Sequence, residues 1–542
     1  MGRGRTTGRS LSLLVGGSLI GSLLAAVPAA ADDRETEAAA GVEWGPCPEG
    51  PGLSTLECAT VAVPLDYGDP DGARIEIMVS RLAGTAPDRR RGVLLLNPGG
   101  PGGSGLATPA ELVDFGLPAS VLDSYDLIGM DPRGVGHSSP VSCGFTDDDG
   151  YWGGIAFYAV DDAAVEAQAV IAEAVADQCA ENDTDGLLPH MSTVNTARDM
   201  DRVRAALGEE KISYLGYSYG SALGAAYTSL FPERSDRIVL DSVVGDTFVG
   251  YGSSRTAGPG AEDTFPDFAA WAAEHDDSYG LGDSPERVRE TYFEIAGRLD
   301  EEPVAGLDGG LFRYATFIGL YGAQLYPRTA QLWQSLREAD EPGARRLLDE
   351  HGPFGAVAAD RGDGEGTAAE PAPADNLWSA NLAVTCIDTD WPEDLDVYRR
   401  TVARDRQKYP LYGAAAANIR PCAYWHHEPS ERPVRITGEG PRNVLIVQDL
   451  RDPITPHRNG VALNERFGER SRLVSVDASG HGVVYVHGQN TCAWNVTTRY
   501  LVKGVFPRGD VSCGPSAASG PGPDGGRHGE RDEALFRWWN LV

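Results

Sequence analysis

KISYLGYSYGSALGAAYTSL, residues 211–230, decides the fold. Residues 212–215 are a short β-branched and aromatic run. Residues 221–230 are rich in Ala, Gly and Leu and stop before Pro232, so the turn between the two runs joins a strand to a helix. The turn is Gly216-Tyr217-Ser218-Tyr219-Gly220, a G-x-S-x-G. So tight a reversal strains the serine backbone, and glycines two residues to either side make room for the neighbouring strand and helix. The Ser218 hydroxyl then stands above the sheet edge at a helix N-terminus, where it can act as a nucleophile. The pentapeptide alone also fits an ordinary turn; its strand and helix context favours the nucleophile.

Upstream, residues 58–65 and 74–81 read as two strands separated by the turn-rich DYGDPDG of 66–72, a hairpin at a sheet edge. Residues 93–96 are a wholly apolar strand running into NPGGPGGSG, 97–105. Gly100, Gly102 and Gly105 satisfy G-x-G-x-x-G, with Asp123 and Asp126 roughly 20 residues on, so a dinucleotide site has to be weighed. Pro98 and Pro101 remove amide donors that a phosphate cradle would use, and there is no Walker lysine, so the site is rejected. Glycine amides in such a loop can instead donate to a developing oxyanion. DLIGMD, 126–131, is the next buried strand, and Arg133 and His137 after it are expected to hold loops. A polar stretch reaches Cys179, and Met200, Val203 and Leu207 suggest a helix over 196–207.

Downstream, RIVLD at 237–241 adds a strand, so strand and helix signals alternate as in a parallel α/β sheet. Over 242–441 the alternation stops. Amphipathic helices are predicted over 268–275, 285–299 and 329–350, with a mobile Gly/Ala/Pro/acid loop at 360–375, and the segment reads as a helical insertion capping the catalytic edge. The pattern resumes with NVLIVQ at 443–448 leading into DLRDPITP, then a helix from about 457, a strand over 473–477 and ASGHG at 478–482. The expected organisation is a leader at 1–31, core halves at 32–241 and 442–513, the insertion at 242–441 and a tail at 514–542 whose last residues, 534–542, dock by their aromatics.

Composition bounds the function. At 542 residues the chain exceeds one compact core. Arg3, Arg5 and Arg9 precede an apolar 11–27 and Ala29-Ala30-Ala31, a secretory leader with cleavage expected after Ala31, and Ala38-Ala39-Ala40 would tolerate a second cut. Nothing later reaches about 18 continuous apolar residues, so no stable membrane association is expected. A net charge of −33 excludes nucleic acid as a partner. It suits a dispersed exported protein, or an acidic cleft that attracts cations. Eight cysteines allow 105 pairings. Export favours disulfides, and the neighbour pairs 47/58, 143/179, 386/422 and 492/513 are expected because they close short loops. None has C-x-x-C spacing, so no metal is expected.

A serine hydroxyl needs a base to take its proton, and the base needs a carboxylate to fix its tautomer. Ser218, His481 and Asp452 fit these roles, in the chain order expected of an α/β-hydrolase sheet. Asp449 is the rival acid and His487 the rival base. Asp452 is preferred because it lies in the loop beyond its strand, His481 because glycines flank it.

NPGGPGGSG at 97–105, DPRGVGHS at 131–138, GYSYGS at 216–221, RDPITP at 451–456 and SGHG at 479–482 resemble the α/β-hydrolase exopeptidases related to prolyl iminopeptidase. Among these they are most similar to the secreted tripeptidyl aminopeptidases of filamentous bacteria. The likeness spans most of the mature chain and is weakest through the insertion. It implies that Ser218 is acylated, that His481 acts as base and then acid, that Asp452 orients it, and that the amides of Gly100 and Tyr219 form the oxyanion hole. Prolyl iminopeptidases carry HGGPG, and Pro98 stands where their histidine would, which argues against strict proline preference. The substrate's free N-terminal ammonium needs carboxylates from the cap, with Asp388 and Asp390 in TCIDTDWP as candidates.

The expected function is a secreted serine exopeptidase that releases tripeptides or residues from free peptide N-termini through an acyl-enzyme and requires no cofactor. A carboxylesterase or lipase with the same triad would instead want an apolar acyl pocket. A secreted binding protein with a relic triad would show an unreactive Ser218.

Overall fold

The computed structural model describes residues 41–146, 155–304, 306–351, 372–486 and 490–515. Outside them lie the leader, the second cut site, 360–371 of the expected loop, His487 and the tail from 516.

The apolar runs pair into one sheet with strands β1 (Gly45–Pro46), β2 (Glu57–Pro64), β3 (Arg74–Leu82), β4 (Val93–Asn97), β5 (Asp126–Met130), β6 (Ile212–Tyr217), β7 (Ser235–Asp241), β8 (Val444–Arg451), β9 (Ser471–Ser479) and β10 (Val511–Cys513). Their spatial order is β1-β2-β3-β5-β4-β6-β7-β8-β9-β10. The first three strands are antiparallel and β3 meets β5 antiparallel, while β5 through β10 run parallel. β4 and β6 are buried along their whole length, as strands covered on both faces must be. Leu94 and Leu96 join one core and Val93 and Leu95 the other, because successive side chains point to opposite faces.

Pairing of Asn97 with Gly216, and of Tyr217 with Asp241, brings the carboxyl ends of β4, β6 and β7 together at one edge. The helix after β6, Tyr219–Leu230, lies close against the sheet: a Cβ at Gly224 would collide with Tyr214 and Leu240. Only small residues permit that approach.

Between β7 and β8 the described residues are mainly helical, and Phe265, Phe268, Tyr292 and Trp333 form an aromatic centre. The helix predicted over 329–350 is two, Tyr326–Arg337 and Glu341–His351. Ala339 takes φ 56°, and the Asp340 carboxylate accepts from Gly343 N at 3.1 Å to start the second. The polar stretch before Cys179 contains a helix that the sequence reading lacks, Asp162–Asn182, capped by Asp161. Asp375, assigned to the mobile loop, is buried and accepts from Ser142 Oγ and the Cys143 and Phe145 amides. Arg133 holds loops as expected, forking onto Asp199 and donating to the carbonyls of Pro64, Leu65 and His190.

Disulfides join Cys47–Cys58, Cys143–Cys179, Cys386–Cys422 and Cys492–Cys513, the neighbour pairs. Among the described residues no helix is long and apolar enough to cross a membrane.

Candidate active site

Ser218 sits between β6 and its helix at φ 55°, ψ −121°, a conformation unfavourable for any residue with a Cβ. Its surroundings hold it there. Ser218 N donates to Asp241 O at 3.0 Å, Ser221 Oγ donates to Ser218 O at 2.6 Å, and Tyr214 Oη donates to Gly220 O at 2.7 Å. A Cβ at Gly220 would lie 2.7 Å from Asn97 Oδ1, so glycine is needed for the turn to lie against the end of β4.

Asp452 follows β8 and His481 follows β9. Both are fully buried, and His481 Nδ1 lies 2.9 Å from Asp452 Oδ2. The other donors to Asp452 are the Ile454 amide at 3.0 Å, the Thr455 amide and hydroxyl at 2.8 Å each, and Gln448 Nε2 at 3.3 Å. They offset the burial of the carboxylate. Thr455 Oγ1 also lies 3.2 Å from His481 Nδ1. The rival acid Asp449 is buried with Oδ1 unpartnered among the described residues, and burial, then Asp452 and Asp241, push its pKa well above the carboxylate range. The histidine therefore meets the acid that four donors surround, while Asp449 has no donor on Oδ1 among the described residues.

Two further residues fix the histidine loop. Asp241 accepts the amides of Val483 at 3.0 Å and Val484 at 2.7 Å and the Ser242 hydroxyl at 2.9 Å, while Ser242 Oγ accepts from Gly482 N at 2.8 Å. Burial raises the Asp241 carboxyl to about 7. The Tyr321 carbonyl, from the insertion, accepts the His481 amide, and the Tyr321 ring lies tilted beside the imidazole. The sequence reading missed both. The only signal for Asp241 is an acid at the carboxyl end of an apolar strand, and for Tyr321 there is none.

In the loop expected to supply an oxyanion donor, Gly99, Gly100 and Gly102 adopt φ 118°, 105° and 97°, where glycine alone is at ease. The loop is tied down by Asn97 Oδ1, which accepts Gly99 N at 3.1 Å, and by Asp131 Oδ1, which accepts Ser104 Oγ at 2.6 Å and Gly105 N at 3.0 Å. Tyr219 opens its helix beside it, so the Gly100 and Tyr219 amides belong to the ends of neighbouring strands.

Asp388 is buried, with Oδ1 accepting Thr193 N at 2.7 Å and Oδ2 accepting Thr193 Oγ1 at 2.6 Å; Asp390 is exposed. Burial raises Asp388 to about 7. Among the described residues no cluster of His, Cys, Asp and Glu is placed to hold a metal ion.

Presenting a serine on a strained turn at the carboxyl edge of a mostly parallel sheet is how the serine hydrolases of the α/β-hydrolase fold work, and this chain is one of them. A family model described as alpha/beta hydrolase fold matches residues 92–290, and one described as TAP-like protein matches residues 409–513. Tripeptidyl aminopeptidase of Streptomyces lividans is 35% identical over 494 residues, covering 89% of this chain and 88% of that protein. Serine protease Hip1 of Mycobacterium tuberculosis is 30% identical over 504 residues, covering 87% and 91%. Carboxylesterase B of the same organism is 31% identical over 538 residues, covering 93% and 98%. The chain belongs to the tripeptidyl aminopeptidase family of α/β-hydrolases.

Proposed function

We propose that this protein is an exported serine exopeptidase that removes tripeptides from free peptide N-termini, with Ser218 as nucleophile, His481 as base and Asp452 as its orienting acid. The observation that carries the reading is the buried 2.9 Å contact between His481 Nδ1 and Asp452 Oδ2, at the same sheet edge as the strained Ser218 turn. With Nδ1 engaged by the carboxylate, Nε2 is the nitrogen that takes the Ser218 proton. Ser218 Oγ bonds to the carbonyl carbon, and the oxygen gains negative charge opposite the Gly100 and Tyr219 amides. His481 then gives its proton to the leaving amine as the C–N bond breaks. Water, deprotonated by His481, cleaves the acyl-enzyme and restores Ser218.

The helical insertion supports an exopeptidase, since it seats Tyr321 against His481 and Asn381 against Pro101 of the glycine loop. The leader motif and the disulfides support export. Recognition of the free amine requires carboxylate at the cap, and the exposed Asp390 is the candidate whose side chain is not committed to Thr193. The second reading, a carboxylesterase using the same three residues, is favoured by the relative of that name.

The test is hydrolysis of a free-amine tripeptide anilide, its N-acetylated twin, a proline anilide and a short acyl ester, by wild type and Ser218→Ala. Cleavage of the first but not the second, lost in Ser218→Ala, is expected. Ester cleavage alone would establish the esterase, and preference for the proline anilide an iminopeptidase.

A further inference from the structure

The helix Asn376–Ile387 belongs to the insertion, yet its polar side chains reach the loops of the catalytic edge. Asn376 donates to the carbonyls of Gly134 and Val141 and accepts the Gly136 amide, each at 2.8 Å. Asn381 Nδ2 donates to Pro101 O at 3.0 Å, next to Gly100 in the oxyanion loop. A Cβ at Gly102 would collide with the carbonyl of Leu377, so loop and helix are in backbone contact. At the helix end Asp388 accepts both the amide and the hydroxyl of Thr193, and Thr193 Oγ1 lies 2.9 Å from Tyr219 Oη. With the Thr193 hydroxyl donating to the carboxylate, the Tyr219 hydroxyl is the donor to Thr193. Thr193, Tyr219 and Asp388 are all buried, and the Cys386–Cys422 disulfide fastens this end of the helix to the Pro421–Tyr424 turn.

We infer that this helix sets the oxyanion hole, with Asn381 positioning the Gly100 amide through Pro101 and Asp388 positioning the Tyr219 amide through Thr193. The inference rests on the reading that those two amides are the oxyanion donors. It gives Asp388 a task other than holding the substrate's ammonium: its oxygens are buried on Thr193, and the Thr193 hydroxyl meets Tyr219, the neighbour of Ser218. Asn381 and Asp388 are positioning residues, acting on a donor rather than on the substrate. A hydrogen-bond donor displaced from the developing charge lowers transition-state binding without weakening ground-state binding.

The experiment compares wild type with Asn381→Leu, Asp388→Asn, Thr193→Val and Thr193→Ser on a tripeptide anilide and on a short p-nitrophenyl ester. Each preparation is normalised to the fraction labelled by a fluorophosphonate at completion, and inhibition is measured with a tripeptide aldehyde and with the free tripeptide. The aldehyde forms a tetrahedral adduct that uses the hole; the tripeptide does not. Asn381→Leu, Asp388→Asn and Thr193→Val are each expected to lower kcat about 10- to 100-fold with KM changed less than about twofold. Each is expected to weaken the aldehyde by the same factor as kcat while leaving the tripeptide's affinity unmoved. Thr193→Ser, which keeps the hydroxyl, is expected to retain more activity than Thr193→Val.

Unchanged kcat and aldehyde affinity in labelled, folded variants would overturn the inference. So would losses confined to the labelled fraction, or shared equally by the tripeptide. A wild type that cleaves the ester but no peptide defeats the exopeptidase reading alone, and the ester series then decides the inference. A wild type inert to both defeats the two together.

Discussion

The main-chain amide of His481 donates to the carbonyl of Tyr321 at 2.8 Å, and the two rings lie 5.2 Å apart at 58°. Gly480 and Gly482, at φ 141° and 90°, flank the histidine, so its loop draws its shape from its neighbours. The insertion supplies one of them. Removing the ring in Tyr321→Ala is expected to lower kcat about tenfold and to destabilise the fold by about 3–5 kcal/mol, the usual cost of an aromatic-to-Ala cavity. Tyr321→Phe keeps the packing and is expected to remain close to wild type. Steady-state kinetics with a melting curve checks both, and wild-type kcat in Tyr321→Ala would show that the contact is passive.

The acid beside His481 is Asp452 in the structure, with Asp449 buried alongside it. Asp452→Asn is expected to reduce kcat by about 10⁴, as loss of the orienting carboxylate does in other serine triads. Asp449→Asn keeps the side chain's size and leaves Asp452 on His481, and it is expected to leave kcat within about threefold of wild type. The reverse ranking in a rate assay would move the role to Asp449.

Asp241 offers two oxygens to the Val483 and Val484 amides, and asparagine can offer one. In Asp241→Asn one buried amide faces a second donor, at a cost of about 1–3 kcal/mol. A lower melting temperature is expected together with a lower kcat, because the strained segment is the one that carries His481. Calorimetry and kinetics on the same preparation check it; a cooler melt with full kcat would limit Asp241 to stability.

Burial raises both Asp241 and Asp388 from the ordinary aspartate value of 3.8 to about 7. Between about pH 4 and pH 7 the folded protein therefore holds protons that the unfolded chain has released, so stability falls as pH rises. The contribution is complete below pH 4 and is lost through pH 7. The melting temperature is expected to be higher at pH 5 than at pH 8, with the difference smaller in Asp388→Asn. A melting temperature that climbs from pH 5 to pH 8 would mean that these carboxyls are ionised in the fold.

The parallel strands are legible in the sequence because their signals are local: VLLLN lies between Gly92 and Pro98, ISYL runs into Gly216, and each side chain's burial follows from its own segment. The Ser218 turn is legible for the same reason, since its glycines are neighbours of the serine. Asp388 is different. Its partner Thr193 is 195 residues away, so the choice between an ammonium ligand and a structural acid depends on a contact that no local pattern carries. Tyr321, in the insertion, likewise meets His481 from far away in the chain. Helix Asp162–Asn182 is concealed by composition: its alanines and acids give only a shallow apolar face, although Asp161 and the helix-forming run after it are a visible start signal. The split at Ala339 escapes because the amphipathic pattern continues through the break, where Asp340 and Pro342 are the signs of a new helix.

The most direct measurement is mass spectrometry of the earliest products from a synthetic peptide of about ten residues with a free amine, beside its N-acetylated form, using wild type and Ser218→Ala. Release of the N-terminal tripeptide first, only from the free-amine peptide and only with Ser218 intact, is the expected result. Internal or C-terminal fragments appearing first, equal cleavage of the acetylated peptide, or products that persist in Ser218→Ala would contradict it.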